Sequence, residues 1–232
     1  MLDLKSFRLL TFDCYGTLID WETGIFSALR PILLAHKKEI SDSALLQLYA
    51  EFEAQAEAGE YRSYREVLKS VVRSFGERLG FQTSDVEEQS LPDSLQHWRA
   101  FPDTVEALHR LQSRYKLAVL SNIDDDLFAM TLPKLGVSFT EVITAQQAGC
   151  YKPCLKLFRM VFDRLDVAPA QWLHVGQSIY HDVVPAQSLG VATVWVNRPS
   201  PRQGIGAVKP ALGVPDLQVQ DLKTLADLAC AA

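Results

Sequence analysis

The sequence predicts an α/β fold, a doubly wound parallel-sheet core interrupted by an all-helical insertion. Three observations carry this reading. A short run of strand formers, Arg8 to Phe12, ends abruptly in Asp13; the next stretch of about eighty residues shows only helical periodicity; and from Phe101 onward strand and helix alternate. At 232 residues, 48% of them hydrophobic, the chain can hold one large domain or a core with an insertion.

The first strand is buried and places a carboxylate at its carboxyl end, where ligands collect in open parallel sheets. Gly16 can take the positive φ that turns the chain away, leaving backbone N–H groups free to face an anion. Ile25, Leu29, Ile32 and Leu33 share one helical face, as do Leu45, Leu48, Tyr49 and Phe52, and then Val67, Leu68, Val71, Val72 and Phe75. Three or four antiparallel helices are expected, with Ser84 and Glu87 as a capping box for the last. Asp103 and Glu106 show the same pattern at the next helix. Leu117 to Leu120, Val142-Ile143, Trp172 to Val175 and Ala192 to Val196 supply further strands, and Leu157, Val161 and Leu165 mark a helix after the Tyr151-Lys152-Pro153 turn. An irregular, proline-rich loop is expected from Pro199 to Pro215, before a short terminal helix. The layout is a Rossmann-like core over residues 1–17 and 99–232, with a helical cap over 18–98.

The net charge of −5 gives no electrostatic footprint for nucleic acid or an anionic membrane, and no apolar run reaches the length needed to span a bilayer. A small-molecule ligand is the expectation, and a homodimer stays open. Cysteines 14, 150, 154 and 230 show no CxxC spacing, and the amino terminus lacks a signal-peptide pattern, so a reducing cytoplasm is expected with Cys150 and Cys154 as two separate thiols.

Polar residues stand at four strand ends: Asp13; Ser121 and Asn122; Lys152; and Gln177, Ser178, His181 and Asp182. Singly they read as helix caps, a solvated turn and dipole stabilisers. Their order carries more weight, because parallel topology gathers such ends on one rim. His174 lies within a strand and reads as a buried histidine with one satisfied nitrogen. Cys14 should point away from the crevice.

Asp13-Cys14-Tyr15-Gly16-Thr17-Leu18, Leu120-Ser121-Asn122, Tyr151-Lys152-Pro153 and the Gly176 to Asp182 loop resemble the four ordered motifs of the haloacid dehalogenase superfamily, and the helical insertion resembles its cap. The resemblance implies an aspartate nucleophile, Asp13, and a covalent ester hydrolysed by water. Phosphatases of the superfamily carry a second aspartate two residues after the nucleophile, to protonate an alkoxide leaving group. Here that residue is Tyr15, which resembles the (S)-2-haloacid dehalogenases, whose halide departs without a proton. In the fourth motif Gln177 replaces the first acid, leaving Asp13 and Asp182 as the carboxylates available to Mg²⁺. Action without a cofactor is therefore expected, with Lys152 as the chief positive charge and Asp182 positioning or deprotonating the water. Tyr15, Thr17, Ser121 and Asn122, then Ser178 and His181, are the expected substrate contacts. The substrate implied is a small 2-substituted carboxylic acid, foremost a 2-haloacid.

Two departures qualify the likeness. The early cap reads Leu48 to Gln55 without the halide-binding arginine, and position 158 is Phe where those dehalogenases have Tyr. Arg30, Arg62 and Arg65 are the nearby substitutes, each read first as a solvated cap residue. The string Thr11 to Gly24 and Tyr180-His181-Asp182 also resemble azetidine-2-carboxylate hydrolase, in which a ring amine leaves; Glu51 or Glu53 could face that cation, although two solvated glutamates are the first reading. The remaining rivals are an Mg²⁺-dependent phosphatase and a binding protein that kept the scaffold without the chemistry.

Overall fold

The computed structural model describes residues 2–198, 207 and 211–231. Six parallel strands form one sheet in the order β3-β2-β1-β4-β5-β6. They are β1 (Leu9–Phe12), β2 (Lys116–Ser121), β3 (Glu141–Thr144), β4 (Trp172–Gly176), β5 (Ala192–Val196) and β6 (Leu217–Val219). Strand order reverses between β2 and β4, on either side of β1, so β1 sits at the switch point where crossovers leave a crevice. Every residue of β1 is buried, as a strand covered on both faces requires. Leu10 and Phe12 join the core on one face and Leu9 the core on the other, following the twofold alternation of side chains. Phe12 lies level with Val119 of β2 and Val175 of β4, which brings Asp13, Ser121 and Gly176 to one rim.

Between β1 and β2 the chain forms four helices, α1 (Trp21–Ala35), α2 (Asp42–Glu57), α3 (Tyr64–Leu79) and α4 (Asp85–Ser94), before α5 (Thr104–Gln112) returns to the sheet. The expected faces are the buried ones; Phe52 meets Phe75 edge-on at 5.1 Å, and only Leu48 of the predicted set is incompletely covered. Such a face holds the layer together at about 1.5–3 kcal/mol per fully buried large side chain. Ser41 and Ser63 cap α2 and α3, and Ser84 with Glu87 forms the full capping box on α4. A second acceptor reaches α3 from the sheet: the buried Asp124 carboxylate takes the N–H groups of Tyr64 and Arg65, each at 2.9 Å, and so ties the helical layer to the loop after β2.

The remaining helices are α6 (Asp125–Thr131), α7 (Ala145–Ala148), α8 (Leu155–Leu165), α9 (Val184–Ser188) and α10 (Leu222–Ala229). Three expectations need correction. Asp103 makes no side-chain cap on α5; it pairs with both terminal nitrogens of Arg198 and accepts the Leu222 N–H at 2.8 Å. The short β6 is an additional strand, with Val219 its one buried side chain. Cys150 and Cys154 are joined in a disulfide, while Cys14 and Cys230 stay free. Most of the loop expected from Pro199 to Pro215 lies outside the described residues; residues 211–215 have no regular structure. Among the described residues no helix is long and apolar enough to cross a membrane.

Candidate active site

Asp13 emerges from β1 with its N–H bonded to Val175 of the neighbouring strand at 2.9 Å. The chain turns at Gly16, whose φ of +93° favours glycine; a Cβ there would also press on Gln177 and Trp21 at 3.1 Å. The turn brings Thr17 back behind Asp13. Its hydroxyl donates to Asp13 Oδ2 at 2.7 Å and accepts the Gln177 N–H at 3.0 Å. Thr17 is fully buried and does not line the cavity, so it holds Asp13 instead of offering a substrate contact.

Lys152 arrives from the turn before α8. Its ammonium donates to Asp13 Oδ1 at 2.9 Å, to Asp182 Oδ1 at 2.7 Å and to the Leu120 carbonyl at 3.1 Å, which uses all three protons. Asn122 fixes the backbone beneath it, accepting the Lys152 N–H at 2.7 Å and donating to the Lys152 carbonyl at 3.3 Å. The Asn122 amide thereby places Lys152 while also lining the cavity. Burial works against the ammonium, but Asp13 and Asp182 outweigh it and hold the lysine above its usual range.

Asp182 sits in a π-helical turn, Ile179–Val183, that Ser178 caps by accepting the His181 N–H at 3.0 Å. Gly176 makes room for it, since a Cβ there would lie 2.5 Å from the carboxylate. Asp182 also accepts the Ser178 N–H at 3.1 Å and faces His174 Nε2 at 3.2 Å. Burial pushes its carboxyl up, yet Lys152 and His174 together hold it well below the ordinary range. His174 uses both nitrogens, against the expectation of one: Nδ1 meets the Thr11 hydroxyl at 2.7 Å, and Thr11 accepts the Trp172 indole N–H at 2.7 Å. Asp13 differs from Asp182. Burial raises it, Lys152 pulls it back, and the net shift is upward.

These groups bound a cavity of about 60 Å³. Ser121 faces it with a buried hydroxyl that has no hydrogen-bond partner among the described residues. Ser178 and His181 line it as well, and Cys14 is packed away in the core, as expected. Tyr15 presents its ring to the cavity, stacked edge-on against Trp98 at 5.8 Å, but its hydroxyl is bonded to Thr131 at 2.8 Å. Burial also lifts that phenol far above its usual range, so it holds its proton.

The helical layer contributes residues that the sequence reading left out: Trp21, Tyr64 and Glu57 line the cavity beside Glu53. Glu53 accepts from Tyr64 at 2.6 Å and from Tyr49 at 2.9 Å. Burial raises both glutamates, the tyrosines opposing it at Glu53 and the charge of Glu53 adding to it at Glu57. Tyr49, Glu53 and Glu57 recur every four residues on α2, which was the available signal. Glu51 instead pairs with Arg78 on the surface. None of the substitute arginines lines the cavity: Arg30 pairs with Asp42, Arg62 donates to Ala56, and Arg65 pairs with Asp126. Phe158 packs in the core against Trp172 and His174.

Residues 7–190 match the family model described as haloacid dehalogenase-like hydrolase. (S)-2-haloacid dehalogenase 1 of Pseudomonas sp. (strain CBS-3) is 26% identical over 209 residues, 84% of this chain and 86% of the relative. (S)-2-haloacid dehalogenase 4A of Burkholderia cepacia is 27% identical over 211 residues, with 84% and 85% covered. Among solved structures, L-2-haloacid dehalogenase from Xanthobacter autotrophicus superposes with a TM-score of 0.80 at 20% identity, over 96% of this chain and 98% of that one, and shares its fold. With the four strand-end motifs gathered on one rim and the family match running through all of them, this chain belongs to the haloacid dehalogenase-like hydrolases.

Proposed function

We propose that this hydrolase attacks carbon with Asp13, on a small 2-substituted carboxylic acid, without a metal. The observation that carries the reading is the Asp13–Lys152–Asp182 bridge next to a Tyr15 hydroxyl bound to Thr131: a nucleophile is present, and position 15, two residues on, holds a committed phenol in place of a carboxylic acid. The donor set does not suit Mg²⁺. Both carboxylates are already engaged by one ammonium, and Gln177 adds a neutral amide in place of a third carboxylate.

In this mechanism Asp13 displaces the substituent at C2 and becomes an ester, and the leaving group carries away the bonding pair. Ser121, with its unpartnered hydroxyl, and Ser178 are placed to bind the substrate carboxylate. Water then attacks the Asp13 carboxyl carbon, Lys152 stabilises the developing oxyanion, and collapse returns Asp13 with a 2-hydroxy acid and a proton. Asp182 orients the water and anchors Lys152; being held so acidic, it is a weak base.

A halide is the leaving group that the dehalogenase relatives support. A second reading rests on the helical wall. Glu53 and Glu57 face the cavity, and among the described residues lining it Lys152 is the sole lysine or arginine, which suits a substrate nitrogen better than a departing anion. One panel separates these: a 2-chloroalkanoate, azetidine-2-carboxylate and a phosphate ester, each with and without chelator, followed by a single turnover in ¹⁸O-water. Label in Asp13 before it reaches product is expected. Label in product alone, or turnover of the phosphate ester that chelator abolishes, refutes attack by Asp13 at carbon.

A further inference from the structure

We propose that Cys150 and Cys154 are a thiol–disulfide exchange site for a small cellular thiol of the glutathione type, and that their redox state sets how firmly Lys152 is held. The pair closes a five-residue loop, Cys150-Tyr151-Lys152-Pro153-Cys154, with 6.3 Å between its Cα atoms. At its centre is the lysine that joins both site carboxylates. The same loop touches the helical layer, where the Tyr151 hydroxyl donates to the Arg62 carbonyl at 2.7 Å. A change of covalent state here therefore acts at the nucleophile and at the layer above it.

The site is reachable. Both cysteines are partly exposed and line a cavity of about 380 Å³, distinct from the inner one, whose other walls include Ala58, Tyr61 and Tyr180. Glu57, Lys152 and His181 separate the two cavities and border both. A sulfur leaving from Cys154 is also favoured. Cys154 precedes α8, whose amino end has no side-chain cap, and free N–H groups at a helix start stabilise a thiolate. Cys14, by contrast, is buried, and burial pushes its thiol well up.

The chemistry balances with the thiol alone. A thiolate attacks Cys150 Sγ, the protein S–S bond breaks, and Cys154 leaves as thiolate and takes a proton. A second thiolate attacks the outer sulfur of the mixed disulfide, freeing Cys150 and releasing the oxidised thiol. Two electrons pass from two thiols to the protein. Reduced, the loop keeps the Asn122 clasp, the Tyr151–Arg62 bond and the bonds of the Lys152 ammonium but loses its covalent closure, so Lys152 gains freedom relative to Asp13.

The test equilibrates the full chain in a series of reduced-to-oxidised glutathione ratios, traps free thiols by alkylation, and counts them by mass. Two free thiols should become four as the ratio rises. Amide exchange over 149–155 should speed up in step, and kcat should fall by at least about threefold with KM little changed, because loosening a positioning group costs rate. The kinetic arm rests on the proposed function; the thiol count and the amide exchange do not, so absence of turnover on every substrate would refute that function and leave this inference decided by the other two. Cys150→Ser/Cys154→Ser should sit at the reduced level at every ratio, whereas Cys230→Ser should respond like the natural chain. Four thiols at every ratio, or amide exchange and kcat indifferent to the thiol count, would overturn the proposal.

Discussion

Lys152→Met removes the ammonium and keeps most of the side-chain volume, so it isolates the charge at the heart of the site. The Lys152 side chain is 1% exposed, Asp182 1% and Asp13 13%, which leaves little water to compensate two orphaned carboxylates. Breaking a buried ion pair by deleting one partner costs about 3–5 kcal/mol, and a lysine serving two partners belongs in the upper half of that range. Protonation caps the loss: lifting a carboxyl from about 3.9 costs about 1.4 kcal/mol per pH unit, hence about 5.6 kcal/mol at pH 8 and about 1.5 kcal/mol at pH 5. The Asp182 contribution should respond to pH in opposite senses in the natural chain and the variant. With Lys152 present, Asp182 lies below its unfolded value, so its stabilisation is in place above about pH 4 and fades as the pH drops toward the folded value. In Lys152→Met the carboxyls titrate above their unfolded value, so their contribution is fullest below about pH 4 and disappears as the pH rises through the raised values. Urea unfolding at pH 5, 6.5 and 8 should therefore give a deficit growing from about 2 to about 4–5 kcal/mol. A deficit under about 1 kcal/mol, or one flat with pH, would equate the bridge with a surface pair and refute the electrostatic account.

Further outcomes follow from neighbouring geometry. Gly176→Ala should displace Asp182, because the new methyl would lie 2.5 Å from its carboxylate; a loss of about 100-fold in kcat/KM is expected, and near-normal kinetics would show that Asp182 can relocate freely. Asp124→Ala should remove the second acceptor from the start of α3, costing about 1–2 kcal/mol in thermal unfolding and raising KM more than it lowers kcat; an unchanged KM would mean the tie does not govern closure of the helical layer. The acid limb of kcat/KM should fall above the ordinary carboxylate value of about 3.9, since Asp13 is raised and must ionise to attack, while Lys152, held above its usual range, should add no alkaline limb below about pH 10. An acid limb at or below the ordinary value would place the nucleophile elsewhere.

Much of this arrangement could be read from residue order, because parallel topology turns sequence motifs into neighbours. β1 ending in Asp13, the Lys152 turn and the Asp182 loop each announce a strand end, and the sheet does the assembly. Side-chain commitments were harder to see. Thr17 looks like a ligand contact until the structure shows it occupied with Asp13 and outside the cavity lining, and the second task of Asn122, holding the Lys152 backbone, leaves no local signal. Asp103 mimics a cap because local spacing carries no trace of Arg198, 95 residues away. β6 escaped notice since a three-residue strand with one buried side chain barely alternates. Cys150 and Cys154, four apart, carry no framework pattern; only folding of the intervening turn brings their sulfurs together. The second reading of function was legible as Glu51 or Glu53, but which glutamate faces Asp13 depends on how α2 rotates, and that rotation sets Glu53 and Glu57 inward and Glu51 outward.

The row Trp172, Thr11, His174, Asp182 crosses from one strand to the next through four groups, each hydrogen-bonded to the next. Thr11 is the member that crosses to β1, so sliding β4 past β1 by a single residue would break its bonds to both Trp172 and His174 and leave three buried polar groups short of a partner at once. The row therefore acts as a vernier for the sheet. The alignment of two strands and the aim of the Asp182 carboxylate are fixed by one set of bonds, and neither can drift without the other.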